Sequence, residues 1–546
     1  MEKQWASLGL EFPTPSPSTP TNDPSRIWKH GPYRFRADFD SGNLAKVTPT
    51  TAEFKEFDLW IRPDCAGQPC ETNHRTWFYF GVSGFNTGQT LRFNVVNMNK
   101  QAKLFSFDMR PVYFVPGVSA EWEVLQNSVR YQHSKGGFRI SFNHKFLSAE
   151  ETFFAFCIPF SYTDNQTLMD NVEQHAMARE DLYFCRETLG TSKCGRTLDL
   201  LTVSSRHGMM DKTEPARDLS YPCVNQGEKG AAAFDNSKKV FVVSSRVHPG
   251  ETPASHVFNG MLAFLLQPND PRAQILRENF VFKLVPMINP DGVSLGHYRC
   301  DSLGQNLNRY YSDPSIETHA EVFALKALLA YYHRKGTLEA TIDLHAHANR
   351  MGTFAYGNAI PDQEEQLQSI MYTKLVSMNT PSFDFRSCCF SQKNMSNKDK
   401  NGESKEGSNR VATYRMTGLV HVYTIESNYA CASLTTAVKS AENGDRTVSP
   451  PYRIHSKAKY TQKSFGHVGK ALLVGMLDVK GLNPYTRLKS SEFKNMHTLR
   501  NWACSYWNAG SSKRASLLLQ RTAATSCLVA KVAATTLAST EVAGEE

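Results

Sequence analysis

No stretch of this chain is apolar for long enough to cross a membrane. Runs such as Met261 to Leu266 fall far short of the about 20 residues a span needs, so no membrane partner is expected. Met1 to Pro13 lacks a basic start followed by an apolar run, and no secretory signal is expected there. The 12 cysteines include no Cys-x-x-Cys. Cys388 and Cys389 are adjacent, Cys65 and Cys70 come next in spacing, and the rest are scattered; reduced thiols in the cytosol are the reading. Internal repeats are absent. No nucleic-acid module accompanies the formal net charge of +9, so nucleic acid is not expected as a partner. The charge suits a polyanionic partner or an ordinary solvated surface.

What is present is a large globular chain. Its 546 residues are 40% apolar, enough for two or three domains with a sizeable core. Residues 1–30, rich in Pro, Ser and Thr from Phe12 to Ser25, read as a flexible leader. Residues 31–163 carry short β-like runs separated by turn residues: Phe57–Ile61, Trp77–Gly81, Leu91–Val95, Phe105–Met109, Phe138–Phe142 and Thr152–Phe156. This spacing predicts an antiparallel β-sandwich. Residues 164–507 alternate helix and strand. Helices are expected over Thr167–Thr188, Ala254–Leu266, His319–Lys335, Glu364–Asn379 and Tyr460–Lys480. Strands are expected over Lys239–Val243, Phe280–Val285, Glu339–Leu344 and Val420–Glu426. That pattern predicts an α/β domain with a mixed or parallel sheet covered by helices. Residues 508–546, rich in Ala, Ser and Thr, read as a disordered tail.

Chemistry-bearing residues collect where predicted strands end. His248-Pro-Gly-Glu251 directly follows a buried-type strand, and Pro249 and Gly250 argue for a turn rather than a helix. Ligands of open α/β sheets bind at such carboxyl ends. Imidazole and carboxylate are both zinc ligands, and a catalytic zinc takes three from the protein plus a water. Asp343-Leu-His345-Ala-His347 ends another strand and offers the third, its Asp and both His sharing one face. Glu426 closes an apolar strand, where a carboxylate is costly unless paired or working as a general base. Arg309 with Asn308 suits a bidentate clamp on a substrate carboxylate, and Arg299 suits a developing oxyanion. Gly292-Val-Ser294-Leu-Gly296 fits the serine-hydrolase elbow, but that motif needs strand, sharp turn and helix, and here a turn precedes it.

The order of these segments resembles the cytosolic carboxypeptidases, zinc enzymes that trim glutamates from tubulin. The resemblance runs through His248-Pro-Gly-Glu251-Thr-Pro-Ala-Ser255, Asn289-Pro-Asp-Gly292, Gly296-His-Tyr-Arg299, Asn306-Leu-Asn308-Arg309, Asp343-Leu-His345 and Glu426-Ser-Asn-Tyr429. It implies one Zn2+ at His248, Glu251 and His345, with Glu426 as general base. It implies Arg299 at the oxyanion, and Asn308 with Arg309 at the terminal carboxylate. Ala346 stands where the family usually has glycine, which calls for a φ that an alanine can adopt.

The function expected is hydrolysis of glutamate, linear or branch-point, from acidic tails, with polyglutamylated tubulin as partner. The expected location is cytoplasmic and microtubule-associated, with a nuclear fraction. A glutamate substrate brings a second carboxylate, which needs a second cation. Arg410, with Lys405 outside it, is the candidate, in a loop-like stretch from Phe385 to Met416 with seven Lys or Arg against three Asp or Glu, net +4. The alternatives are a serine hydrolase using Ser294, and a microtubule-tail adaptor without activity.

Overall fold

The computed structural model describes residues 5–10, 17, 23–134, 137–214, 230–399, 402–432 and 459–509. The tail from 510 onward, and residues 1–4, 11–16 and 18–22 of the leader, lie outside them.

The first half of the fold is a two-sheet sandwich. One sheet orders its strands Ile27–His30, Tyr33–Arg36, Tyr79–Ser83, Thr152–Ala155, Val112–Phe114 and Glu123–Val124. The other orders Lys46–Pro49, Glu56–Trp60, Thr90–Met98, Gly137–Lys145 and Arg130–Ser134. Along Gly137–Lys145 every second residue is buried, so Phe138, Ile140 and Phe142 face inward. Their partners are aromatic: Phe35, Phe57, Phe80, Phe93 and Phe154 join one core, with Phe35 and Phe57 ring centres 4.9 Å apart. The pairing is antiparallel except between Glu56–Trp60 and Thr90–Met98, which run parallel.

The second half is a seven-stranded mixed sheet ordered Tyr183–Thr191, Thr197–Ser204, Phe280–Val285, Lys239–Ser245, Leu338–Ala346, His421–Ser427 and Thr353–Tyr356. The four strands from Phe280–Val285 to His421–Ser427 are parallel to one another. Their apolar residues are buried on both faces, as parallel strands require. One face carries Thr252–Leu265, Gln363–Asn379 and Gln462–Val479; the other carries Ala320–Arg334. Thr252–Leu265 is buried along all 14 residues. A Cβ on its Gly260 would lie 2.2 Å from the Cα of Gly466, so glycine is what lets this helix meet Gln462–Val479 so closely.

The structure corrects four expectations. Phe105–Met109, read as a strand, belongs to a helix over Ala102–Ser106 and the turn after it; its alternating Phe105, Phe107 and Met109 mimic period two. The helix predicted over Thr167–Thr188 spans Tyr162–Met177, started by a capping box between Ser161 and Asp164, and the chain then becomes the strand Tyr183–Thr191. The loop-like stretch Phe385–Met416 ends in a helix, Asn409–Thr417. Within the expected flexible leader, Trp5 and Leu8 are buried in the same core cluster that includes Leu168 and Val172. Trp5 has no exposed surface. Trp5→Ala is therefore expected to lower unfolding free energy by about 3–5 kcal/mol; an unchanged denaturant midpoint would show that the segment contributes nothing.

Among the described residues no helix is long and apolar enough to cross a membrane. The described cysteines are all free thiols.

Candidate active site

Three parallel strands deliver the site at their carboxyl ends. After Lys239–Ser245 the chain turns at Arg246, whose φ is 58°. The buried guanidinium of Arg246 donates to the Pro249 carbonyl at 2.7 and 3.1 Å, the Phe160 carbonyl at 2.9 Å and Ser255 Oγ at 2.9 Å. It thereby holds the turn that carries His248 and Glu251. The Gly250 N–H donates to the Tyr298 carbonyl at 2.9 Å. A Cβ on Gly250 would sit 2.6 Å from the Tyr298 ring, so this approach admits only glycine. Glu251 then stands at the N-cap of Thr252–Leu265.

His345 comes from the neighbouring strand, Leu338–Ala346. Its Nδ1 lies 3.0 Å from Glu251 Oε2, while His248 Nδ1 lies 2.8 Å from Glu251 Oε1. One ligand atom from each of the three residues falls within 4.8 Å of the others, and all three residues are buried. The outer nitrogens are committed: His345 Nε2 donates to Asp343 Oδ2 at 2.7 Å, and His248 Nε2 to Asn306 Oδ1 at 3.0 Å. Both Nδ1 atoms thus converge on the Glu251 carboxylate, where a cation would meet all three donors. The donor set fits zinc. Burial lowers the His248 pKa to about 4, which keeps the imidazole neutral, the form that ligates. Glu251 is held well below the usual carboxylate range: burial opposes its charge, but the two imidazoles outweigh it. Ala346 fits without strain, with no positive φ, its methyl packed on the sandwich core and its N–H donating to Glu251 Oε2 at 2.9 Å.

Glu426 sits opposite His345 in the parallel register, near the end of His421–Ser427. Among the described residues its carboxylate makes no hydrogen bond or ion pair. Burial raises its pKa to about 8, although the nearby positive groups pull the other way.

These residues line one cleft of about 630 Å³ between the sandwich and the sheet. Arg299, Asn308, Arg309, Lys405 and Arg410 line it too, so every proposed site residue reaches one cavity. Their states differ. Arg299 makes no side-chain hydrogen bond or ion pair among the described residues. Arg309 does not stand free, as a clamp would. It donates to Asp399 Oδ2 at 2.9 and 3.2 Å, and Glu403 lies 3.9 Å away. Asn308 Oδ1 accepts from the Asn409 N–H at 3.0 Å. Lys405 places Nζ 5.7 Å from the centre of the Tyr356 ring. Arg410 is buried on the first turn of Asn409–Thr417 rather than on a loop. Ser294 ends a short helix, Pro290–Ser294, and is not among the residues facing the cleft. Its carbonyl instead accepts from the Ser41 N–H at 3.0 Å.

The zinc carboxypeptidase family model matches residues 174–463, which span all of these ligands and Glu426. The chain belongs to that family. Residues 35–156 match the cytosolic carboxypeptidase N-terminal domain. Cytosolic carboxypeptidase-like protein 5 of Rattus norvegicus is 35% identical over 591 residues, covering 86% of this chain and 71% of the relative. The Bos taurus counterpart is 34% identical over 590 residues and is covered for 66% of its length, so this chain spans about two thirds of such relatives. Cytosolic carboxypeptidase 6 of Mus musculus is 34% identical over 485 residues, covering 86% of this chain and 78% of the relative. Among solved structures, the metallo-carboxypeptidase of Pseudomonas aeruginosa in complex with (2-guanidinoethylmercapto)succinic acid superposes with a TM-score of 0.58. At 22% identity, over 82% of this chain and 99% of that one, it establishes the shared fold. This zinc carboxypeptidase is thus a metallocarboxypeptidase by family, and the serine-hydrolase alternative is set aside.

The sequence reading missed Arg246, Asn306, Asp399 and Glu403. Asn306 stands in the motif Asn306-Leu-Asn308-Arg309 but was given no role of its own, and Asp399 reaches Arg309 from 90 positions away.

Proposed function

We propose that this enzyme removes glutamate from acidic protein tails, and that polyglutamylated tubulin in the cytoplasm is its partner. Arg410 carries the reading. Its guanidinium, in a residue only 3% exposed, donates to three neutral oxygens: the Gly357 carbonyl at 2.6 Å, Asn358 Oδ1 at 2.8 Å and Asn394 Oδ1 at 2.8 Å. No carboxylate pairs with it among the described residues. A buried cation facing a cleft without a counterion is a site for an anion. A glutamate side chain supplies one, with Lys405 as the outer contact.

His248, Glu251 and His345 would hold the zinc. The chemistry a zinc ion supplies there is Lewis acidity toward the scissile carbonyl and acidification of a water. Glu426, unpartnered beside the site, takes the proton of the attacking water and returns it to the leaving amine. Arg299 places its guanidinium against the oxyanion. Arg309 with Asn308 holds the terminal carboxylate, which has to displace or share Asp399.

Arg410→Ala is expected to cost about 2–4 kcal/mol in kcat/KM on glutamate-ended peptides, the order for truncating a buried charged partner. Glutamine-ended peptides should lose far less. Steady-state rates on the two peptide series test this; an unchanged glutamate-to-glutamine ratio would remove Arg410 from the specificity pocket.

A further inference from the structure

The loop that carries Arg299 is shaped from outside its own domain. Asp64 lies in the sandwich, beyond the strand Glu56–Trp60, and is 1% exposed. Its Oδ1 accepts from the Tyr298 N–H at 2.6 Å, and its Oδ2 from the N–H groups of Arg299 and Cys300, both at 2.8 Å. Next to it, the Cys65 N–H donates to His297 Nε2 at 3.1 Å, and Cys65 takes a φ of 60° to do so. Asp64 is itself pinned: its N–H donates to the His74 carbonyl at 3.0 Å, and its carbonyl accepts from the Thr72 N–H at 3.0 Å. A carboxylate receiving three consecutive backbone N–H groups fixes the peptide planes on both sides of Arg299. Because the Arg299 guanidinium has no partner of its own among the described residues, its aim is set by that backbone.

We infer that Asp64 is a positioning residue for catalysis, by which the N-terminal sandwich aims Arg299 at the reacting carbonyl. This rests on the oxyanion role given to Arg299 above. A side chain that stabilises developing charge acts in the transition state, so misaiming it lowers kcat more than it raises KM. An asparagine can keep at most the bonds to one of the two oxygens, because its amide group is a donor facing an N–H.

The test is a double-mutant cycle on the full chain, with zinc content and melting temperature measured in every variant. Asp64→Ala is expected to lower kcat by roughly 10–10²-fold, the scale of a misplacement of about 1 Å, with KM nearly unchanged and zinc retained. Asp64→Asn should fall between it and the parent, and serves alone if the alanine variant does not fold. In an Arg299→Ala background either substitution should cost no further kcat, because the group being aimed is gone. If the losses instead add, Asp64 is a purely structural residue and the inference falls while the role of Arg299 stands. If Arg299→Ala itself leaves kcat intact, the role of Arg299 falls and takes the inference with it.

Discussion

His248→Ala is expected to lose zinc and peptidase activity together. The substitution removes one of three donors, and it also leaves Glu251 Oε1 facing the vacated space without the partner that stood 2.8 Å away. Two remaining donors hold a catalytic zinc poorly, because affinity depends on the complete ligand set. Glu251→Ala should behave the same way for a stronger reason. Glu251 touches both imidazoles and the Ala346 N–H, so its removal scatters the set as well as depleting it. Metal analysis after dialysis against a chelator reads both variants. Full zinc occupancy in the His248→Ala, Glu251→Ala double variant would place the metal elsewhere.

Glu426→Gln should separate metal binding from turnover. The amide keeps the shape of the side chain and lacks the base, so kcat should fall by at least ~10²-fold, the lower range for general acid–base catalysis. Zinc content should not change, since Glu426 is not one of the three converging donors. Its surroundings make the assignment specific. The carboxylate lies across from His345 in register and accepts no hydrogen bond among the described residues. Near-wild-type kcat in Glu426→Gln would mean that another group takes the proton.

The strands that build the site were legible because a parallel sheet buries both faces, which writes continuous apolar runs such as Val240–Val243 and Phe280–Val285 into the sequence. The polar residues breaking those runs at their carboxyl ends, His248, His345 and Glu426, were legible for the same reason. Reading failed where burial came from a distance. Trp5 looks like part of a solvated leader, and only the tertiary fold brings it into the core of the carboxypeptidase domain. Arg410 was placed in a loop because the charged stretch around it has no helical apolar stripe; its helix is short, packs by one end, and ends on the left-handed Gly418. Arg309 was read as a clamp on the substrate carboxylate, and its ion pair with Asp399 is a contact that spacing cannot show. Asp64 carries no signal in its own neighbourhood, since its three partners lie 234 to 236 positions away.

The central claim is carboxypeptidase action on glutamate-ended tails. It is tested most directly by mass spectrometry of a polyglutamylated tubulin tail peptide incubated with the zinc-loaded enzyme, beside Glu426→Gln at equal concentration. The account predicts stepwise loss of single glutamates from carboxyl ends by the parent enzyme, stopped by a chelator and almost absent with Glu426→Gln. An uncut peptide, cleavage at internal bonds, or equal trimming by the Glu426→Gln variant would contradict it.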